Sequence, residues 1–537
     1  MRRAPSQDRE GIPAQETDPL WKDKEGDCGL SVAWSELRLG VGDGLLWVLF
    51  FVQHLMRGFV GNITASAKPY IYKAYHVPAT RVQIYDAVAM LPWALKPITG
   101  LVSDVFPLFG YRKAPYILMA SLLGAAGYAT VGYLQPSALP LALFVGCLFC
   151  QSLQLATSDI LVEACYAERI QQTPKIGPSL LTFVWLGMSI AELLSTGAFG
   201  AILEFGGEDD TRFRIVFAIV AFPAILMMIP ILRGGLQERP VGSEELLEIR
   251  ARFAKDREAC FLCALMLVCI TVLFSCTAAS SSIPLNFAVS LVIFFVVLAA
   301  FSLVLSPVIA KFNAFSLIQA SLSLRTSGAG FYFFIDQEAE YPEGPHFSEF
   351  FYSTTLRAIG AVCSIVGIAT YYRYARRCSF KMLLLWANIA GAIFSCTDVL
   401  MYSRVSRDVL KIPDTVFVIT SLVLESTMAT WQWMPQTVIF SYLCPRGMEA
   451  TMYALLAGCH NLGNAISAHF GAMLLHALGC EPRGAAGESA QFDNLWKASM
   501  VSILTPLLVI VALFNLIPDV AQGERLSTDR RSATADS

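Results

Sequence analysis

Residues 174–203 read PKIGPSLLTFVWLGMSIAELLSTGAFGAIL, and residues 445–474 read PRGMEATMYALLAGCHNLGNAISAHFGAML. Laid together without gaps, Pro174 meets Pro445, Lys175 meets Arg446, and Gly187 meets Gly458. Phe199, Gly200 and Ala201 meet Phe470, Gly471 and Ala472, and Leu203 meets Leu474. Each stretch contains an apolar run long enough to cross about 30 Å of hydrocarbon as a helix. Fourteen such runs occur, beginning near Asp43, Gln83, Lys113, Ala138, Pro178, Phe213, Cys260, Pro284, Phe312, Phe350, Met382, Pro413, Ala450 and Leu495. The match therefore pairs span 5 with span 13. Span 13 is the fifth of a second half only if spans 7 and 8 are inserted between two halves. The expected fold is an all-α polytopic membrane protein with two six-helix halves plus two inserted central helices. The expected divisions are a tail at 1–40, a first half at 41–232, a loop at 233–258, the insert at 259–310, a second half at 311–518 and a tail at 519–537.

Composition agrees with a lipid environment. Hydrophobic residues make up 55% and charged residues 15%, where about a quarter charged is usual for a soluble domain. A net charge of −3 carries no electrostatic footprint for nucleic acid. The first 40 residues are polar, with no apolar segment after Arg2 and Arg3 that would make a signal peptide. An even number of spans places both tails on one side. The majority of the 39 Lys and Arg then fall in the tails and the loops of that side, which assigns it to the cytosol. The stretch Arg233–Arg257 carries six Lys and Arg and falls inside, whereas IDQEAEYPEGPHFSEF, residues 335–350, has no Lys or Arg and falls outside. Arg404, Arg407 and Lys411 run against this rule. The partners expected are a bilayer and a small-molecule substrate, for which one copy of the chain is sufficient.

Four cations are expected inside spans: Arg57 in span 1, Lys96 in span 2, Arg325 in span 9 and Arg357 in span 10. Under the repeat they form two symmetric pairs. Each costs at least about 2.5–3.5 kcal/mol at mid-membrane, so they must face the bundle interior, a cavity or carboxylates. They are candidates for an anionic substrate, and structural pairing with Asp86, Glu192 or Asp398 is the other use open to them. Asp159 and Glu163 share a face of span 4 at four-residue spacing, and Glu425 lies in the symmetry-related span 12. Asp159 and Glu425 are candidates to accept hydrogen bonds from a heterocycle. Asp86, Glu163, Glu192 and Asp398 are candidates for coupling or ion pairing. Trp93, Trp431 and Trp433 offer flat faces, with Trp93 and Trp433 the candidates for stacking on a ring.

The remaining polar residues point to no chemistry. Cys147 with Cys150 and Cys260 with Cys263 have CxxC spacing, but no nearby histidine completes a metal site. No zinc-binding histidine spacing occurs around His54, His460, His469 or His476, and these are expected to pack or hydrogen-bond. No nucleophile–base constellation lies in the spans, so neither an enzyme nor a cofactor is expected. Asn62-Ile63-Thr64 fits a glycosylation sequon close to the membrane.

Several segments resemble a known family. Gly100, Asp104, Gly110, Arg112 and Lys113, in GLVSDVFPLFGYRK, resemble the cytosolic signature loop of the major facilitator superfamily, although the second glycine here follows the acid by six residues rather than three. LPWALKPITGLVSD from Leu91, GYRKAPY from Gly110, SDILVEACYAERI from Ser158 and LCPRGMEATMYALLAGCHNLG from Leu443 resemble the folate–biopterin transporters, a branch of that superfamily. YPEGPHFSEFFY from Tyr341 resembles the trypanosomatid branch in particular. The resemblance implies import of pterins or folates driven by protons, and the location expected is the plasma membrane with both tails cytosolic. The alternative it admits is S-adenosylmethionine, carried by some protozoan relatives, or another small metabolite. A transporter-like sensor without flux is the alternative from another class.

Overall fold

The computed structural model describes residues 29–172, 176–207, 211–255, 257–374, 378–443 and 449–518. The tail beyond residue 518, most of the amino-terminal tail, and Pro174, Lys175, Pro445 and Arg446 of the repeat lie outside the described residues. Helix accounts for nearly all of the described chain. With every backbone N–H bonded inside its own segment, helices can cross a medium that offers no water.

All fourteen apolar runs are helical. Span 1 is Asp43–Ala74. Span 2 is Ala79–Ala94 followed by Lys96–Val105, span 3 Ala114–Tyr133, span 4 Leu141–Gln172 and span 5 Gly177–Phe205. Span 6 is Thr211–Leu226 with Met228–Leu232, span 7 Arg257–Ala279 and span 8 Ile283–Val304. Span 9 is Pro307–Leu322 and Ser327–Ile335, span 10 Phe351–Thr355 and Leu356–Tyr374, and span 11 Phe380–Tyr402. Spans 12, 13 and 14 are Asp414–Tyr442, Glu449–Ala477 and Leu495–Ala512. Among the described residues, ten helices are long and apolar enough by themselves to cross a membrane. The other four are spans 2 and 9, which are broken, and spans 12 and 13, whose inward faces carry polar residues such as Glu425 and His460.

The packing repeats with an offset of eight. Span 1 packs on span 5 as span 9 packs on span 13; span 3 lies between spans 4 and 6 as span 11 lies between spans 12 and 14. Span 2 packs on spans 4 and 13, and span 10 on spans 12 and 5. Spans 7 and 8 pack on each other and against spans 2, 9 and 13.

Two segments differ from the sequence expectation. Residues 29–40, placed in the tail, belong to a helix, Gly29–Val41, that rests on spans 4 and 5. The stretch after span 6 contains an amphipathic helix, Ser243–Lys255, whose Arg250 donates to the Val105 carbonyl at 3.2 Å. These helices and the 106–113 loop share one end of the bundle, the tail face. Loop 336–350 and loop 478–494 share the far face, joined by Gly487 N to Ala339 O at 3.0 Å. Arg404 and Arg407 belong to the far face as well. Arg404 is neutralised by Asp414 at 2.8 Å, and Arg407 donates to the Glu343 carbonyl.

The signature-like loop on the tail face is a set of charge contacts. Asp104 and Arg112 stand 3.8 Å apart, and Lys113 meets Glu168 at 2.7 Å. Gly110, at φ +83, makes the turn that returns the chain. A Cβ on Gly100 would meet nothing within 4 Å. Glu238, from the stretch after span 6, accepts from the backbone N–H of Arg112, Lys113 and Ala114. It thereby satisfies donors left open at the start of span 3. Sequence reasoning missed Glu238.

Candidate binding site

Each of the four expected cations lies at an irregularity of its helix. Arg57 sits in a π-helical stretch, Phe50–Val60. Lys96 begins the second piece of span 2, directly after a break at Leu95 and four residues past Pro92. Arg325 lies between Leu322 and Ser327, where span 9 is not helical. Arg357 follows a π-turn, Phe351–Thr355. A loosened backbone is tolerated at membrane depth only where it is buried in protein or lines a water-filled cavity, and π-segments recur at functional sites.

Arg57 and Lys96 converge on Asp159 of span 4. The Asp159 carboxylate is 2% exposed. It accepts from Gln53 Nε2 at 2.9 Å and from an Arg57 guanidinium nitrogen at 2.7 Å. Lys96 Nζ donates to its other oxygen. One acid thus holds two cations, and the expected structural partners Asp86, Glu192 and Asp398 are not the ones used. Glu163, one turn along, is 3.9 Å from Lys96 and 34% exposed, so it supports the cluster from its solvated edge. Tyr166 donates toward Glu163 at 3.4 Å. Glu192 lies within electrostatic reach of Arg57 but forms no ion pair among the described residues.

The cluster has aromatic walls. The Arg57 guanidinium lies 5.4 Å from the ring of Trp93 and 5.6 Å from that of Trp185, and Lys96 Nζ lies 4.7 Å from Trp93. Trp185 in turn meets Trp433 of span 12 edge-on, 6.1 Å between centroids. Trp185 and Trp433 are both exposed. Trp431 instead donates its indole N–H to the Gly367 carbonyl and serves the packing of spans 10 and 12. Sequence reasoning missed Gln53, Tyr166 and Trp185. For Trp185 the available signal was its position seven residues, about two helical turns, before Glu192.

The other two cations are differently placed. Neither Arg325 nor Arg357 has an ion pair among the described residues. Arg357 is half-buried near Tyr70 and Tyr352. Asp398 and Glu425 feel each other's charge and have no cation bound to them among the described residues. Asp86 pairs with Lys68 at 3.0 Å. Lys68 was not among the cations expected inside spans, but span 1 stays helical to Ala74 and includes it.

Asn62 lies within span 1, its amide directed at span 5, where it meets Ser195 Oγ at 2.6 Å and the Glu192 carbonyl at 3.0 Å. The sequon is therefore packed between helices. His54 and His460 bond the Phe183 carbonyl and Ser316. Cys480 in the far-face loop is a fully buried free thiol.

At the far face the two sets of spans are bolted together. Lys73 meets Asp336 at 2.7 Å, Arg212 meets Glu349 at 2.5 Å, and Tyr70 bonds Ser353 at 2.6 Å. Tyr332 donates to the Val77 carbonyl. A depression of about 460 Å³ over this latch is lined by Tyr70, Lys73, His76 and Glu349 among others. It belongs to the closure and not to the Asp159 cluster.

The BT1 family model matches residues 57–535. The chain belongs to the BT1 family. Among curated relatives of this BT1 protein, a probable folate-biopterin transporter of Arabidopsis thaliana is 25% identical over 87% of this chain and 81% of its own length. The folate-biopterin transporter of Synechocystis sp. is 26% identical over 80% and 72%. Folate transporter 1 of Plasmodium falciparum is 22% identical over 84% and 75%. Among solved structures, a D-xylose–proton symporter superposes with a TM-score of 0.56 at 12% identity, covering 92% of this chain and 100% of that one. A POT peptide transporter gives 0.57 at 14%, covering 88% and 95%. The fold of this BT1 protein is thus that of the major facilitator transporters. The family and its relatives are transporters, not enzymes.

Proposed function

We propose that this BT1 protein is a secondary transporter that imports pterins and folates by alternating access. The observation that carries the reading is the Arg57 guanidinium set between Trp93 and Trp185 and tied to Asp159. A flat heterocycle stacks on an indole face, and an amino–imino edge such as that of a pterin suits a carboxylate acceptor. In this assignment Arg57, Lys96, Asp159, Trp93 and Trp433 contact the ring, with Glu425 approaching from span 12. Arg325 and Arg357, which lack ion pairs among the described residues, bind the carboxylates of a folate. Glu163, Glu192 and Asp398 are coupling candidates, and protons are the coupling ion.

The spans divide as 41–232 and 311–518, two six-helix halves, with 259–310 inserted between them and 233–258 joining. The offset of eight in the packing supports this division. The tail face is cytosolic and the far face lies outside the plasma membrane, so the latch of Lys73, Arg212 and Tyr70 closes the outer entrance. The test is uptake of labelled folate and biopterin into cells expressing the chain. Arg325→Gln removes a charge and a bidentate fork while keeping polarity. Folate affinity is expected to fall about ten- to hundred-fold, the worth of one charge-assisted hydrogen bond, with biopterin unchanged. Equal loss of both substrates refutes the carboxylate role, and no uptake of either in wild type refutes the substrate class. Asp398 and Glu425, an acid pair with no cation bound to it among the described residues, favour a second reading: a cationic substrate such as S-adenosylmethionine. Including it in the same uptake panel decides between the two.

A further inference from the structure

Lys68 follows Arg57 by eleven residues, about three turns, so both side chains project from one face of span 1. Its ammonium reaches Asp86 of span 2 at 3.0 Å, and both groups are partly exposed. This contact is looser than the one at Asp159. Asp159 receives three aligned donors, whereas Asp86 Oδ1, the oxygen facing Lys68, has no aligned hydrogen-bond donor.

Asp86 also looks toward the other set of spans. Ala79, Gln83 and Asp86 lie on one stripe of span 2. The Ala79 carbonyl stands 2.4 Å from where a Cβ on Gly328 would be, and Gln83 donates to the Ala468 carbonyl at 3.2 Å. Gly328 is three residues beyond Arg325. The stripe thus brings Asp86 to the level of the broken segment of span 9, and its charge is the one that Arg325 feels. Arg325 itself is exposed and without an ion pair among the described residues. Two cations, one from each set of spans, therefore share a single loosely held carboxylate. The group carries a surplus positive charge at membrane depth, where an uncompensated charge is costly.

We propose that Lys68 and Arg325 form an anion subsite that takes a carboxylate from the ligand, with Asp86 as the resident acid that the ligand's carboxylate displaces. Because Lys68 and Arg325 belong to different sets of spans, a bound carboxylate draws the two together. Identifying that carboxylate with the tail of a folate rests on the transport reading above; the subsite itself does not.

The experiment is thermal stabilisation of the purified full chain in detergent by two probes. p-Aminobenzoylglutamate carries both tail carboxylates and no pterin; biopterin carries a pterin and no carboxylate. Wild type is expected to be stabilised by both. Lys68→Gln should weaken p-aminobenzoylglutamate about ten- to hundred-fold and leave biopterin unchanged. Lys68→Arg should retain the anion, which separates lost charge from lost fold. Asp86→Asn should tighten the anion by removing its competitor. Unchanged p-aminobenzoylglutamate affinity in Lys68→Gln, or weaker affinity in Asp86→Asn, overturns the proposal. Wild-type stabilisation by biopterin alone sinks the subsite and spares the transport reading. Stabilisation by the tail alone does the reverse, and stabilisation by neither sinks both.

Discussion

Replacing Asp159 with Asn keeps the shape of the side chain and removes the charge that holds Arg57 and Lys96. The acid is 2% exposed, while Arg57 is 30% and Lys96 12% exposed. Breaking a buried pair by removing one partner costs about 3–5 kcal/mol, because the other charge is left uncompensated. Arg57 regains some solvation through its exposed third, which puts the expected loss near the lower end, about 3 kcal/mol. Glu163→Gln removes a contact at 3.9 Å from a group 34% exposed, and its cost should be about 0–1 kcal/mol. The assay is thermal unfolding of the purified protein in detergent for Asp159→Asn, Lys96→Met and the double variant. The double variant leaves one cation fewer to strand, so it should recover part of the loss. The coupling between the two positions should be about 0.5–3 kcal/mol. Additive losses, or an Asp159→Asn midpoint equal to wild type, would refute the claim that this acid organises the site.

Burial pushes the Asp336 carboxyl up to about 6 in the closed latch, against the pull of Lys73 and with Glu340 and Glu488 adding to the rise. A raised value means the closed form binds the proton more tightly than an opened, solvated form does. Closure at the far face is therefore favoured as pH falls through about 6 and weakens above it. Thiol labelling of a cysteine placed at Ala74 should increase from pH 5 to 7 relative to the same cysteine in Asp336→Asn; a constant ratio contradicts this. A Cβ on Gly471 would stand 1.9 Å from the Arg325 carbonyl oxygen, so Gly471→Ala should force spans 9 and 13 apart. The expected cost is about 1–3 kcal/mol with lost uptake, and wild-type stability and uptake would contradict it. Tags at Met1 and Ser537 should be reached by antibody only after permeabilisation, and surface labelling of either refutes the assigned orientation.

The spans and the four cations within them were legible because their signals are strong. Twenty apolar residues and a lone arginine in their midst each have few structural explanations. The helix breaks were only half-legible. Pro92 and Pro97 flank Lys96 in the sequence, whereas nothing in SLSLRTSG announces the break at Arg325. Partners were not legible at all. Asp159 holds Arg57 across 102 residues and Lys96 across 63, and neither separation leaves a local pattern. Lys68 is not among the four cations expected inside spans, and it sits in a polar run, NITASAKPYIYK. In the structure its polar members are satisfied by span 5, by Asp86 and by the preceding turn, so the helix continues. The same tertiary satisfaction turned the Asn62 sequon into a packing contact.

Trp185 and Trp433 stand 6.1 Å apart with their rings inclined at 63°, one on span 5 and the other on span 12. Two indoles so close are coupled transition dipoles, and their near-ultraviolet signal depends on separation and angle. Any rocking that parts span 5 from span 12 uncouples them. The protein therefore carries its own optical gauge of conformational state, readable without an attached dye.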